Sequence, residues 1–195
     1  MSHEHLTPLN SIINISQMMR EDFEYGELFT KSERQEFIQV IWSSGKLLQY
    51  YVQSRLSQHQ IAAKTYNLKM KGIPLAQLKD QIDEVHKPYE LQMKDQNLSL
   101  NVSVDHDLRL SSPKSLITDW SLYQQCLFNI FGNAVKFNKH NGKINILLSY
   151  KVKRILVTDE DEDSDASTIS ATKYYEEQYL VTTVQDKGYG IASNR

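Results

Sequence analysis

The stretch from Gln125 to Phe137, QCLFNIFGNAVKF, constrains the fold more than any other part of the chain. Wound as a helix at about 100° per residue, it places apolar residues on one broad face, which is typical of a helix that packs on a core. These residues are Leu127, Ile130, Phe131, Ala134 and Val135. Asn129, Asn133 and Lys136, here called the Asn-Lys stripe, lie on the opposite face. The pattern therefore predicts a core helix with a polar stripe.

The Asn-Lys stripe has two interpretations. Amide oxygens are suitable ligands for a hydrated Mg²⁺ ion that bridges phosphates, and a lysine ammonium group neutralises phosphate charge. A solvated polar face is the alternative. The stripe alone does not decide between them, so the choice depends on the motifs before and after it.

Composition limits the classes of protein to be considered. The chain has 195 residues, of which 40% are apolar and 24% charged, as in a globular protein of one large or two small domains. The net charge of −2 and the scattered basic residues argue against a nucleic-acid partner. A single cysteine, Cys126, fits a reducing compartment, and its place in the apolar helix predicts an inert core residue. We expect a cytoplasmic location and no membrane segment in this chain, whereas a longer parent protein would be free to carry one.

The first sixty residues predict a helical hairpin. Apolar residues recur at helical spacing from the start of the chain, and Pro8 removes one hydrogen bond of the first helix and is expected to bend it. The second helix is expected to begin after Thr30, because Thr30 and Glu33 match a capping box. Two amphipathic helices cannot bury their apolar faces alone. We therefore expect a homodimer in which two hairpins form a four-helix bundle.

A histidine and an acid stand side by side at the start of the first helix. A histidine is about half neutral near pH 6.5, so the free nitrogen of His3 can act as a nucleophile, and Glu4 can polarise the ring or take its proton. The zinc motif H-E-x-x-H is absent because position 7 is Thr7. A surface histidine without chemistry is the alternative.

The remainder of the chain mixes helices and strands. We predict a short strand at 67–70, a helix at 75–95 with a kink at Pro88, and strands at 99–104, 143–155 and 178–185. Asp119 is expected to cap the central helix. An acidic run from Thr158 to Asp165 predicts a solvated insertion between the last two strands, and the glycine and glutamate of a calcium loop are missing from it. Asp186, Gly188 and Gly190 then form a D-x-G-x-G turn that allows close backbone approach to a flat ligand.

The opening motif Ser2-His3-Glu4-x-x-Thr7-Pro8-Leu9 resembles the H-box of two-component sensor histidine kinases. The resemblance implies that His3 accepts the γ-phosphate of ATP and that Glu4 assists its attack. It further implies that Thr7 supports dephosphorylation of the partner response regulator.

The central helix resembles the N-box of these kinases, and the D-x-G-x-G turn resembles their G1 box, which the wider GHKL ATPases share. By this resemblance Asn133 coordinates Mg²⁺, and Asn129 and Lys136 contact or orient phosphates. The cofactor-binding residues of the G1 box are Asp186, which would accept a hydrogen bond from the adenine amino group, and Gly188 and Gly190, which would shape the turn.

The resemblance implies an α+β architecture in two parts. Residues 1–63 form the dimerising phosphoacceptor hairpin. Residues 64–195 form a truncated GHKL (Bergerat-type) sandwich of helices on a mixed sheet, with an acidic hairpin insertion at 158–170, ending before the ATP lid. The expected function is ATP- and Mg²⁺-dependent autophosphorylation on His3 and transfer to an aspartate of a response-regulator receiver domain.

Two other functions stay open. A catalytically deficient pseudokinase would dimerise and receive phosphate without using ATP. A GHKL ATPase would hydrolyse ATP without histidine transfer. The lid and the family's second glycine motif do not occur before Arg195. We therefore expect a piece of a longer sensor or hybrid kinase, or a truncated copy. In this form we expect weak ATP binding, poor autophosphorylation and marginal stability of its second part.

Overall fold

A computed structural model describes residues 3–26, 28–105, 115–156 and 174–190. The elements in chain order are α1 (His3–Tyr25), α2 (Lys31–Ala62), β1 (Met70–Pro74), α3 (Leu78–His86), α4 (Glu90–Asp95), β2 (Ser99–Val104), β3 (Ser115–Asp119), α5 (Trp120–Lys136), β4 (Lys143–Leu156) and β5 (Tyr174–Asp186). The α+β class is confirmed. The predicted acidic insertion at 158–170 lies outside the described residues.

The turn of the α1–α2 hairpin is held by one carboxylate. Asp22 Oδ1 accepts the backbone N–H groups of Leu28 at 2.6 Å and Phe29 at 2.9 Å. Its Oδ2 accepts Arg34 Nε at 2.8 Å, and this arginine, helped by the backbone donors, lowers the pKa of Asp22. Thr30 caps α2, and the predicted capping box with Glu33 is confirmed. The hairpin thus has a fixed turn and a fixed start for its second helix.

Apolar side chains on the outer faces of the hairpin are exposed. On α1 these include Leu6, Leu9 and Ile13, and on α2 they include Ile38, Trp42, Val52 and Leu56. The α2 residues recur at spacings of three, four or their sums, so they form one stripe along the helix. The four-helix bundle of two hairpins stays a prediction. In such a bundle the second hairpin would cover this apolar stripe.

The sheet that follows is mixed, as predicted. β2 pairs in parallel with β4, and β4 pairs with β5 in antiparallel register, Ile144 opposite Asp186. The predicted strand at 67–70 begins only at Met70, where β1 pairs with β3 in a separate antiparallel ribbon. β3 was not predicted, since five residues before a helix cap carry no clear alternation.

The core lies between this sheet and helices α3 and α5. Ile144, Ile146 and Leu148 alternate along β4 with the more exposed Asn145 and Leu147, so one face of the strand is buried. The largest fully buried side chains are Phe128, Phe131, Ile82, Ile144, Ile146, Leu148, Val85, Val135 and Pro88. The helix predicted over 75–95 is broken into α3 and α4 by a 3₁₀ turn, Lys87–Tyr89, which contains Pro88. Helix α5 is thereby held against both the sheet and α3.

Candidate functional site

Helix α5 carries the Asn-Lys stripe, and its start is held by Asp119. Asp119 Oδ1 accepts the N–H of Leu122 at 3.0 Å, so the predicted cap is confirmed. Its Oδ2 accepts the Tyr66 hydroxyl and the Lys69 N–H, both at 2.9 Å. Tyr66 and Lys69 belong to the segment that joins α2 to β1. The Asp119 carboxylate therefore joins the segment between α2 and β1 to helix α5, which carries the Asn-Lys stripe.

The Asp119 carboxylate is buried, and its pKa reflects a balance of two effects. Burial raises the pKa because it disfavours the charged form. Hydrogen bonds from the backbone and from Tyr66 stabilise the charged form, and together they outweigh burial. The pKa of Asp119 consequently lies below its usual value, and the residue is a carboxylate at neutral pH.

Most of the predicted apolar face of α5 is buried, but two predictions there are wrong. Ile130 is 53% exposed and Cys126 is exposed as well. Phe128, which was not in the predicted core face, is only 1% exposed. The reason is that α5 contacts the hairpin as well as the sheet, so its buried arc extends towards α2 and leaves Ile130 and Cys126 outside.

An aromatic cluster forms the contact between α2 and α5. Tyr50 stacks on Phe128 with ring centroids 4.4 Å apart and planes at 13°, and Tyr51 meets the same ring edge-on at 5.6 Å. Tyr89 lies 5.2 Å from Phe128 and 5.6 Å from Phe131. Burial, and secondarily the Glu84 carboxylate, raises the pKa of Tyr50, so its hydroxyl stays protonated.

Gly132 makes room for this cluster. A Cβ atom at Gly132 would lie 2.5 Å from the Tyr89 hydroxyl oxygen and 3.2 Å from its Cζ. Tyr89 is 4% exposed, so its ring has little space to move away. The glycine between Asn129 and Asn133 is thus required by packing on the hairpin side of α5.

A cavity of about 550 Å³ lies between the hairpin and α5. From α5, all three members of the Asn-Lys stripe line it, and from α1 the lining includes Thr7 and Pro8 of the opening motif. The structure therefore brings Thr7, Asn129, Asn133 and Lys136 to one cavity, although Thr7 and the stripe are more than a hundred residues apart in sequence. His3 and Glu4 belong to the first turn of α1, and their side chains lie outside the described part of the structure.

Within the cavity, α2 and the stripe are in direct contact. Asn129 Nδ2 donates to Ser54 Oγ at 3.3 Å, and Ser54 is buried. Lys136 Nζ lies 5.2 Å from the centroid of the Phe137 ring, within the range of a cation–π contact. The amide oxygen of Asn129 stays available as an acceptor, because the amide uses its nitrogen towards Ser54.

The D-x-G-x-G turn lies beside the C-terminal end of α5 and not in the cavity lining. Asp186 Oδ1 accepts the Gly188 N–H at 2.7 Å, and the Tyr189 N–H donates to the Phe137 carbonyl at 3.2 Å. A side chain at Gly188 would collide with that carbonyl, and Gly190 has a φ of +70°, so both glycines shape the turn. Asp186, Gly188 and Gly190 are not among the described residues that line the cavity.

The donor set of the stripe fits a phosphate-bridged Mg²⁺ better than a metal held by protein alone. Among the described residues, no group of three or more His, Cys, Asp or Glu side chains is placed to hold a metal ion. Mg²⁺ commonly uses one or two protein oxygens, waters and substrate phosphates. The amide oxygens of Asn129 and Asn133 meet that requirement, and both residues are exposed to the cavity.

One face of α2 was not foreseen as part of the site. Leu47, Tyr51, Ser54, Arg55 and Gln58 line the cavity. Their spacings of four, three, one and three residues place them on one side of the helix. This spacing was visible in the sequence. The spacing did not identify this face as part of a site, because a mixture of apolar, hydroxyl and charged residues is also typical of a solvated helix surface.

Comparisons with known proteins find similar chains among sensor proteins and sensor-like kinases. No family model matches the chain. Over 207 aligned residues it is 27% identical to drug sensory protein A of Synechocystis, covering 98% of this chain and 29% of that protein. It is 26% identical over 194 residues, all of this chain, to an uncharacterized sensor-like histidine kinase of Rhizobium meliloti. The chain is similar in sequence to sensor-like histidine kinases.

Solved structures are also similar to this chain over much of its length. The Acinetobacter baumannii histidine kinase AdeS is similar over 83% of this chain and 77% of its own, at 16% identity and a TM-score of 0.40. The chain spans about 30% of the length of the curated relatives named above. Within the ranges that the structure describes, no helix has the length and apolar character needed to cross a membrane.

Proposed function

We propose that this chain is the phosphoacceptor and nucleotide-binding part of a sensor histidine kinase, which transfers the γ-phosphate of ATP to His3. The observation that carries the proposal is the cavity shared by Thr7 of the H-box helix and the Asn-Lys stripe of α5. Phosphoryl transfer requires donor and acceptor to be held together and negative charge to be neutralised. A single cavity between the acceptor helix and the stripe supports both requirements.

The chemical step follows from the residue types. A neutral imidazole nitrogen of His3 attacks the γ-phosphorus, the bond to the β–γ bridging oxygen breaks, and ADP leaves. Glu4 accepts the proton from the other ring nitrogen, which leaves the imidazole ring of the phosphohistidine uncharged. Both residues occupy the first turn of α1, within four positions of Thr7.

The stripe binds the phosphates in this proposal. The amide oxygen of Asn133 would hold Mg²⁺, and Asn129 and Lys136 would contact or orient the phosphates. When bound, Mg²⁺ would supply neutralisation of the phosphate charge. Asp186 accepts a hydrogen bond from the adenine amino group, which requires it to exchange the Gly188 N–H for the base or to use its second oxygen.

Residues 1–63 act as the dimerising hairpin and residues 64–195 as the partial ATP-binding unit. The phosphate then passes from His3 to an aspartate of a response-regulator receiver domain that docks on the hairpin, in the cytoplasm, where ATP is available. The exposed apolar stripe of α2 supports dimerisation, because a surface of this kind is stabilised by a second copy.

The experiment is phosphorylation by ATP labelled at the γ-phosphate, in the presence of Mg²⁺, followed by acid and base treatment. We expect label that is acid-labile and base-stable, lost in His3→Gln and strongly reduced in Asn133→Ala. His5→Gln, a second histidine of the same helix, is the matched control and keeps the label. Label that survives His3→Gln contradicts the proposal and points to an ATPase or to another acceptor.

A second candidate function is a phosphate-receiving module that does not use ATP. The observation that favours it is the position of Asp186, Gly188 and Gly190 outside the cavity lining. Such a module stays unlabelled with ATP alone and is labelled on His3 only after an active histidine kinase is added.

A further inference from the structure

The lining of the cavity is positively charged on two opposite sides. Arg55 of α2 faces it from the hairpin, and Lys136 of α5 lines it from the other unit. None of the described lining residues is acidic, although the chain as a whole has a net charge of −2. A basic side chain on the lining attracts an anion that enters the cavity. The cavity therefore favours an anionic ligand that both elements can reach.

Arg55 has no competing partner inside the described part of the chain. No hydrogen bond or ion pair joins it to another described residue, whereas Arg34 is held by Asp22 and Arg154 pairs with Glu176. A guanidinium group without a carboxylate partner can place its planar donors on a phosphate in two-point contact.

The backbone around Arg55 is nevertheless fixed. Ser54, the preceding residue, accepts the Asn129 side-chain amide at 3.3 Å, and Tyr51, one turn before, meets Phe128 edge-on at 5.6 Å. These two contacts orient the face of α2 that carries Arg55 towards the stripe. Gln58, one turn further on, adds an uncharged donor on the same face.

We propose that Arg55 is the hairpin's own contact to the terminal phosphate of the nucleotide, and that it stabilises the charge that moves towards His3. This inference rests on the proposed function and extends it to a residue outside the H-box, N-box and G1 box motifs. Because Arg55 belongs to α2, its contribution exists only while α2 is packed on α5. A positive charge on the helix hairpin that carries His3 stabilises the transferred phosphoryl group and does not contact the adenosine of the nucleotide.

The first experiment measures binding of inorganic tripolyphosphate with Mg²⁺ by isothermal titration calorimetry. We expect Arg55→Gln to weaken binding about ten- to a hundredfold, because a charged hydrogen-bond donor is lost, and Arg55→Lys to lie in between. Arg20→Gln is the matched control: it removes the same charge from a surface pair on α1 and leaves the affinity unchanged. Thermal unfolding of Arg55→Gln is expected to match the wild type.

A second measurement compares ATP with ADP. Arg55→Gln is expected to weaken Mg²⁺–ATP more than Mg²⁺–ADP and to slow labelling of His3. Equal tripolyphosphate affinity in wild type and Arg55→Gln, or no tripolyphosphate binding at all, overturns the proposal for Arg55. The two proposals can fail separately. If tripolyphosphate binding depends on Arg55 but His3 is not labelled, only the kinase function is contradicted. If His3 is labelled and Arg55→Gln leaves the label intact, only the role of Arg55 is contradicted.

Discussion

Asp119 is the residue at which the connection from the hairpin and the start of α5 meet. Its carboxylate accepts Tyr66, Lys69 and Leu122 and is buried. Its pKa is below the usual value, so the folded state favours the ionised form. By linkage, the stabilisation is complete above the pKa of the unfolded state and is lost as the pH falls through the folded pKa.

This gives a pH-dependent prediction for Asp119→Asn. The variant is expected to lose about 1 kcal/mol of unfolding free energy at pH 7, and the deficit is expected to shrink as the pH falls below the ordinary aspartate pKa of 3.8, because the wild type then loses its charge as well. Urea unfolding at several pH values measures it. Asp80→Asn, at an exposed position of α3, changes the free energy by less than about 0.5 kcal/mol. A deficit for Asp119→Asn that does not change with pH would contradict the lowered pKa of Asp119.

Gly132 provides a steric prediction. An alanine there gains about 1 kcal/mol of helix propensity but overlaps the buried ring of Tyr89, and overpacking costs about 1–3 kcal/mol. We expect Gly132→Ala to destabilise the protein overall in chemical denaturation. Cys126→Ala, on the exposed side of the same helix, is expected to be neutral or slightly stabilising. Stabilisation by Gly132→Ala would show that Tyr89 packs elsewhere.

At the scale of the elements, the stacked pair Tyr50 and Phe128 joins α2 to α5. A double-mutant cycle of Tyr50→Leu and Phe128→Leu is expected to give a coupling of about 0.5–1.5 kcal/mol in unfolding free energy. Phe137→Leu, a 54% exposed residue at the end of α5, is the control partner and is expected to show no coupling with Tyr50. Zero coupling between Tyr50 and Phe128 would contradict the packing of the hairpin on α5.

Elements with strong local signals could be predicted from sequence. The capping box at Thr30, the cap at Asp119 and strand β2 follow from capping chemistry and side-chain periodicity, whereas the mixed sheet was implied by the resemblance to histidine kinases. The exposure of Ile130 and the burial of Phe128 could not be predicted, because periodicity shows that a helix has an apolar face but not how many neighbours that face meets. The face of α2 that lines the cavity could not be predicted for the same reason, because the cavity exists only after α2 has packed on α5.

At the scale of the whole molecule, the exposed stripe of α2 predicts a homodimer. Sedimentation velocity is expected to give twice the mass of the chain, and Ile38→Glu together with Val52→Glu is expected to give a monomer, because two buried charges are costly. Gln77→Glu, at an exposed position outside the hairpin, adds a charge away from the stripe and keeps the dimer. A wild-type protein that sediments as a monomer at high concentration would contradict the four-helix bundle.

The central claim is that the H-box end of α1 and the Asn-Lys stripe share one phosphate site. Paramagnetic Mn²⁺ in place of Mg²⁺, added with ATP, broadens the NMR signals of nearby amides. We predict that Thr7 broadens together with Asn129, Asn133 and Lys136, whereas Asp22, at the far end of the hairpin, does not. Broadening of the α5 amides with Thr7 unaffected would contradict the shared site.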